Sequence, residues 1–360
     1  MPPDAIDLQS LRRVLVTKLR HHGDVLLASP VFQVLQNHAP HLEIDALVYH
    51  DTRDMLSLHP AISQLHGVDR RWKQLGIGAH LRAEWALFNT LRRRNYDLIL
   101  HLSEHPRGAW LARALGPRYA VAPNTPGKAR AWLASFSHLY LQPRATPRHT
   151  VELNLDALRR IGVYPGEAER ALVLSPGEEA QASVAALLQR HGLGNKQFIH
   201  LHPTSRWLFK CWPADKVASL IETLTRHGET VVLSSAPDAR ELAMVAAITE
   251  SLSRPVVDLS GQLSLKQLAA LTAQAKLFIG VDSAPMHIAA AMQTPVVALF
   301  GPSGEQAWGP WRVAHRLVTS AHPCRPCGND GCGGGKVSEC LTTLPVERVL
   351  QAVGELLQPK

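Results

Sequence analysis

Four short segments of this chain combine glycine with charged or hydroxyl side chains in the way that acid–base or anion chemistry requires. The first is Lys18-Leu-Arg-His-His-Gly23-Asp24. Gly23 lets the backbone turn sharply and lets a ligand approach closely. Asp24 reads in two compatible ways, as the cap of a helix or as a general base held at the mouth of a cleft. The second segment, His202-Pro-Thr204-Ser205-Arg206-Trp-Leu-Phe-Lys210-Cys-Trp212-Pro213, offers two hydroxyls, backbone donors and point charges. That set suits a pyrophosphate, although an ordinary polar loop with Pro213 opening a helix has the same appearance. In the third, Phe278-Ile-Gly280-Val-Asp282-Ser283-Ala284-Pro285-Met-His287, an apolar run meets a helix start with Asp282 or Ser283 as cap. The amides after such a cap, with the helix dipole behind them, make an anion site to which His287 can add a donor. The fourth is the glycine loop Leu299-Phe-Gly301-Pro302-Ser303-Gly304. Neither a Walker lysine motif nor G-x-G-x-x-G occurs, which speaks against a nucleoside triphosphatase and a dehydrogenase.

Cysteine use adds a fifth candidate. Cys324, Cys327, Cys332 and Cys340 crowd one segment, while Cys211 lies far away. The first pair has the C-x2-C spacing of a zinc site, and four thiols can hold zinc tetrahedrally. The remaining gaps are less regular than those of a zinc ribbon. A structural zinc is therefore an expectation carried by the first pair.

These segments need elements to hold them, and the hydropathy pattern supplies strands alternating with helices. Arg13 to Lys18 reads as the first strand, with helical spacing from Val25 to Gln36 after it. Leu42 to Val48, Tyr96 to Leu102 and Tyr119 to Ala122 read as further strands, separated by helices at 77–94 and 107–115 and closed by an amphipathic helix at 150–161. Leu172 to Pro176 is a small strand or a linker, and Gly177 to His191 a helix. The alternation then restarts with strands at 197–202, 230–234, 256–259, 277–280 and 295–300. Such alternation means right-handed βαβ units and parallel sheets. The expected fold is α/β, with a Rossmann-like domain over residues 1–170 and a second over 171–360. Ligands are expected at the carboxyl ends of strands in a cleft between the two. The last helix, 345–357, could pack on either domain, including back on the first.

Composition bounds the rest. The chain has 360 residues, 46% hydrophobic and 19% charged, which excludes a disordered or fibrous chain. No run approaches the ~18 to 20 apolar residues of a membrane span. The opening MPPDAIDLQSLRR has neither an apolar core nor a cleavage site, so a cytoplasmic location is expected. A net charge of +8 favours anionic partners. No Lys/Arg block interleaved with aromatics points to nucleic acid, and Arg92-Arg93-Arg94 reads as a solvated helix face.

The four loops, in this order and over nearly the whole chain, resemble the lipopolysaccharide heptosyltransferases. The shared elements are Lys18…Gly23-Asp24, His202-Pro-Thr-Ser…Lys210-x-Trp212-Pro213, Gly280-Val-Asp-Ser-Ala-Pro-Met-His287 and Leu299-Phe-Gly301-Pro302. The cysteine segment ending Ser338-Glu339-Cys340-Leu341 resembles the branch that adds the third heptose of the inner core. The resemblance implies the GT-B fold, with the acceptor on the first domain and ADP-heptose on the second. It implies inverting transfer of L-glycero-D-manno-heptose to the second heptose of the lipopolysaccharide inner core. Asp24 would be the base, and Lys18 would orient or charge the acceptor side. Thr204, Ser205, Lys210, Asp282, Ser283, Ala284, His287 and Gly301 would bind the donor, and no metal cofactor would be required for catalysis. The anionic acceptor sits in the inner leaflet, so the implied location is cytoplasmic and peripheral to the inner membrane, in transient contact with it. Arg107, Arg118, Lys128 and Arg130 are acceptor contacts chosen by position. Two other readings share these donor loops: a transferase acting on another core heptose or on protein, and a non-catalytic nucleotide-sugar-binding module.

Overall fold

The computed structural model describes residues 2–141 and 147–358, and the chain divides into two compact units between Ser175 and Pro176. In the first unit the strands are β1 (Arg13–Lys18), β2 (Glu43–Tyr49), β3 (Gln64–Val68), β4 (Leu98–His101), β5 (Tyr119–Asn124) and β6 (His138–Leu141). They form one six-stranded sheet in the order β3-β2-β1-β4-β5-β6, every pairing parallel. In the second unit β7 (Phe198–His202), β8 (Thr230–Leu233), β9 (Val257–Asp258), β10 (Leu277–Val281), β11 (Val296–Leu299) and β12 (His315–Val318) repeat the same winding. Their order is β12-β11-β10-β7-β8-β9, again wholly parallel. The direction of winding reverses between β1 and β4 and between β7 and β10. Helices leave opposite faces of the sheet on either side of such a reversal, so a crevice opens at the carboxyl ends of those strands.

The central strands are covered on both faces, which is why they read as unbroken apolar runs rather than alternating ones. β10, LFIGV, is buried at every residue. One second-unit core gathers Ile199, Leu201, Ile221, Leu277, Ile279, Val297 and Leu299. The last helix, Val346–Leu357, places Val349, Ala352 and Val353 in that same core and packs on β12 and helix Ala214–Arg226. It therefore closes the second sheet. Local chemistry fixes the helix ends. Ser264 and Gln267 form a reciprocal capping box before helix Leu265–Gln274. Pro106 opens helix Pro106–Leu115, and Gly116 ends it in the left-handed region.

Three strands have no counterpart in the hydropathy reading: β3, β6 and β12. Each is an edge or near-edge strand with exposed or half-buried positions, as in QLHGV and HRLV, so the continuous apolar run is missing. The helical stretch read from Val25 to Gln36 is two helices, His22–Leu26 and Ser29–His38. Residues 172–177 are a linker and not a strand. Among the described residues no helix is long and apolar enough to cross a membrane.

Candidate active site

At the reversal point of the first unit, Lys18 ends β1 and lies buried beneath the following loop. Its ammonium donates to the Leu102 carbonyl at 2.9 Å and to Asn154 Oδ1 at 2.8 Å. Asn154, itself buried on helix Thr150–Arg160, donates in turn to the Leu27 carbonyl at 2.9 Å. This chain ties the ends of β1 and β4 to Leu27, the C-cap of helix His22–Leu26; Gly23 lies inside that helix without a positive φ, where the sequence reading expects a sharp turn. Burial pushes the Lys18 ammonium down to about 8, the Asp24 carboxylate opposes that shift, and Arg20 adds to it. The helix cap is His21, which leaves Asp24 half-buried in the first turn of helix His22–Leu26. The N-cap position considered for Asp24 is held by His21, whose side chain makes no capping bond. Beside Lys18, the Thr17 hydroxyl meets His101 Nδ1 at 2.5 Å, and burial holds His101 down to about 3, a neutral ring.

In the second unit the Thr204–Lys210 loop follows β7 and the Asp282–Ser283 turn follows β10, so adjacent strands across the reversal bring the two segments together. Lys210 Nζ donates to Asp282 Oδ2 at 2.6 Å. Ser283 takes the cap position of helix Ala284–Ala291 without a side-chain cap bond, and Ala284 and Pro285 form its first turn. Pro285 has no N–H and the Met286 amide donates to the Ser283 carbonyl at 3.2 Å, so the amides that can meet an anion there are those of Ser283 and Ala284. His287 is buried one turn in.

Thr204 is oriented inward. It is fully buried, and its hydroxyl donates to Glu241 Oε2 at 2.6 Å. Behind it, His202 and His200 share the Ser234 hydroxyl at 2.8 and 2.7 Å, and His200 reaches the Thr272 hydroxyl at 3.0 Å. Burial drives both rings down to about 3, so this is a neutral network that sets the loop's shape. The Thr204 hydroxyl proton is thus directed at Glu241 in this structure. Ser205 is also buried, its oxygen accepting from the Trp207 amide at 3.3 Å.

Gly301 lies where a side chain could not. A Cβ there would stand 2.6 Å from Leu341 Cδ1, and Arg325 Nε donates to the Gly301 carbonyl at 2.8 Å. The segment carrying the cysteines therefore grips the glycine loop. It also reaches the Lys210 loop, since Ser338 Oγ donates to the Phe209 carbonyl at 2.5 Å. Arg325 and Ser338 gain their roles from contacts with Gly301 and Phe209, 24 and 129 residues away, which local spacing does not show. Asn154 was detectable as a polar residue on an otherwise apolar helix face; Glu241 gave no signal.

The Cys324 and Cys327 side chains are hydrogen-bonded, and Cys340 lies within electrostatic reach of Cys324, Cys327 and Cys332. Among the described residues no group of three or more His, Cys, Asp or Glu side chains is disposed to hold a metal. Cys340 is buried beside Leu341 in the core, whereas Cys324 and Cys332 are exposed. His322 Nδ1 lies 3.1 Å from Cys324 Sγ, and the Glu339 amide donates to Cys332 at 3.4 Å. Of the acceptor-side cations, Arg107, Arg118 and Lys128 are engaged within the first unit. Arg107 forms a two-pronged pair with Glu84 at 2.5 and 2.6 Å, and Lys128 donates to the Glu104 carbonyl at 2.9 Å. Arg118 lies over the Tyr119 ring, and Arg130 is exposed. These four do not form one cluster of uncommitted charge.

Known proteins share both the architecture and the sequence. The crystal structure of a family 9 glycosyl transferase from Veillonella parvula DSM 2008 superposes with a TM-score of 0.81, covering 98% of this chain and 99% of that one at 24% identity. The structure of E. coli ADP-heptose lps heptosyltransferase II gives 0.75 over 96% and 98%, at 20% identity. The fold is thus that of the GT-B glycosyltransferases, two doubly wound parallel units. The model of glycosyltransferase family 9 (heptosyltransferase) matches residues 84–337. The chain is also 36% identical over 295 residues to lipopolysaccharide heptosyltransferase 3 of Escherichia coli (strain K12), covering 81% of this chain and 83% of that protein. It belongs to glycosyltransferase family 9, the heptosyltransferases.

Proposed function

We propose that this enzyme moves L-glycero-D-manno-heptose from ADP-heptose to the second heptose of the lipopolysaccharide inner core, with inversion. The observation that carries the reading is the 36% identity to lipopolysaccharide heptosyltransferase 3, extending over 81% of the chain. The geometry supports it: the charged residues of the matching loops fall at the reversal points of the two sheets, Lys18 and Asp24 in one and Lys210 and Asp282 in the other.

In the transfer, the acceptor hydroxyl oxygen attacks the anomeric carbon as the bond to the ADP oxygen breaks. Asp24 takes the hydroxyl proton, and the ADP leaves with its phosphate charge met by Lys210 and the amides of the Ser283 helix start. Thr204 and Glu241 hold the loop that presents Lys210. Lys18, protonated below about 8, contributes a positive charge near Asp24 and the anionic acceptor. Every role in this scheme is filled by side chains and amides, so the transfer proceeds without a metal ion. The acceptor's location places the enzyme at the inner face of the inner membrane, bound peripherally.

The direct test is transfer from ADP-heptose to purified di-heptosylated core, read by mass spectrometry. A gain of one heptose on that acceptor is the expected result. Transfer only to a mono-heptosylated core or to protein would reassign the acceptor, and hydrolysis without transfer to any acceptor would remove the reading.

A further inference from the structure

Helix Ile77–Arg93 has an apolar stripe facing solvent. Ile77, Leu81 and Trp85 recur every four residues, which puts them on one side of the helix, and they are 82%, 63% and 61% exposed. Leu75 just before the helix and Trp110 on the neighbouring helix Pro106–Leu115 are also exposed. The buried Phe88 joins the two tryptophans, its ring centre 5.5 Å from Trp85 and 5.4 Å from Trp110. Between the helices lies a hollow of about 520 Å³ lined by Leu81, Trp85, Phe88, Pro106, Trp110 and the Glu84–Arg107 pair. Single exposed apolar residues are ordinary, but a contiguous patch of this kind marks a surface that water does not normally cover.

The charge around the stripe identifies its occupant. Residues 69–93 hold six Lys or Arg (Arg70, Arg71, Lys73, Arg82, Arg92 and Arg93) against two acids, Asp69 and Glu84. Arg70 pairs with Asp51 at 2.8 Å and Arg71 with Asp69 at 2.7 Å, so the cationic rim is carried by Lys73, Arg82, Arg92 and Arg93. The Glu84 carboxylate is already neutralised by Arg107 and lies 3.4 Å from His80. Lys73, Arg82, Arg92 and Arg93 are exposed. Apolar and tryptophan side chains rimmed by cations match an anionic bilayer, where rings enter the headgroup region and lysines and arginines meet lipid phosphates. A second copy of the chain fits poorly, because a two-fold contact would set this cationic rim against itself.

We infer that the stripe Ile77–Leu81–Trp85, with Leu75 and Trp110, docks the first unit on an anionic phospholipid surface. The inference deepens the peripheral location proposed above by naming the face that makes the contact. It does not depend on which sugar is moved.

The test uses the full-length protein and a variant carrying Ile77→Ser, Leu81→Ser and Trp85→Ser, with circular dichroism and a thermal melt to show that the exposed changes leave the fold intact. Sedimentation is measured with phosphatidylglycerol/phosphatidylcholine vesicles, with phosphatidylcholine alone, and at high salt. The native protein should bind the anionic vesicles, bind neutral ones weakly, and release in salt. The variant should partition at least about tenfold more weakly. Transfer to a soluble, deacylated core acceptor should be unchanged in the variant, while transfer to acceptor embedded in vesicles falls. Equal vesicle binding by the two proteins would overturn the inference, as would failure of the native protein to bind anionic vesicles. A change in oligomeric mass with vesicle binding unaltered would assign the stripe to a second copy and overturn it too. If neither acceptor is glycosylated, the function proposed above fails, and the vesicle measurement still decides this inference.

Discussion

The Lys210 ammonium and the Asp282 carboxylate meet at 2.6 Å although 72 residues separate them in the chain. They meet because β7 and β10 are hydrogen-bonded neighbours at the reversal point of the second sheet, so the loops that follow them emerge side by side. The pair is only partly shielded from solvent, Lys210 more open than Asp282. A phosphate arriving at the Ser283 helix start can therefore share the ammonium.

Removing either partner should reveal their coupling. Lys210→Ala is expected to lower kcat/KM by about 10²- to 10³-fold, the scale of losing one electrostatic stabiliser of a leaving group. Asp282→Ala should lower it less, and the double variant should be no worse than Lys210→Ala alone. Strict additivity of the two losses in steady-state kinetics would show that Asp282 does not act through Lys210.

Asp24→Asn keeps the side-chain shape and removes the base. Turnover should fall by roughly 10²- to 10⁴-fold with affinity for ADP nearly retained, as titration calorimetry can read. Turnover close to that of the native enzyme would remove Asp24 from the mechanism.

The Lys18 ammonium, pushed down to about 8 by burial, predicts a pH dependence whose sign is fixed. Above that pH the folded protein loses a positive charge beside Asp24, so kcat/KM should decline on an alkaline limb near 8. Lys18→Met should lack that limb. Stability follows the opposite course, because an unfolded lysine keeps its proton to about 10.5. The cost of burying the charge is full below about 8 and is relieved as the pH climbs from there towards 10.5. Relative to Lys18→Met, the native protein's melting temperature should improve across that interval. A constant difference between the two proteins would contradict the assignment.

EDTA should leave transfer intact, because every group in the proposed chemistry is a side chain or an amide. Metal analysis of protein purified without chelators should find well under one zinc per chain, since no group of three or more ligating side chains among the described residues is disposed to hold a metal. Full inactivation by EDTA, restored by a divalent ion, would require a different account of how the ADP charge is met.

Gly301 should tolerate no side chain without loss of stability. Gly301→Val must displace Leu341, with a cost of about 1–3 kcal/mol by denaturant titration. An unchanged midpoint would mean that the cysteine segment yields without resistance.

What could be read directly from the residues was whatever depends on near neighbours in the chain. Apolar runs such as LFIGV mark strands buried on both faces, and intervening amphipathic stretches mark helices, so the two α/β halves and the strand-end positions of Asp24, Lys210 and Asp282 were legible. Strands β3, β6 and β12 were not, because an edge strand has one side open and its hydropathy resembles a loop. Tertiary structure alone decided which loops became neighbours, since strand order is set by long-range packing. It also turned the Thr204 hydroxyl towards Glu241, 37 residues away, and joined Lys18 to Asn154, 136 residues on. The cysteines show the same limit. Their spacing says nothing of which thiol is buried: Cys340 packs with Leu341 in the core, while Cys324 and Cys332 are exposed. Burial of one side chain against a distant partner is an energy that no local pattern records.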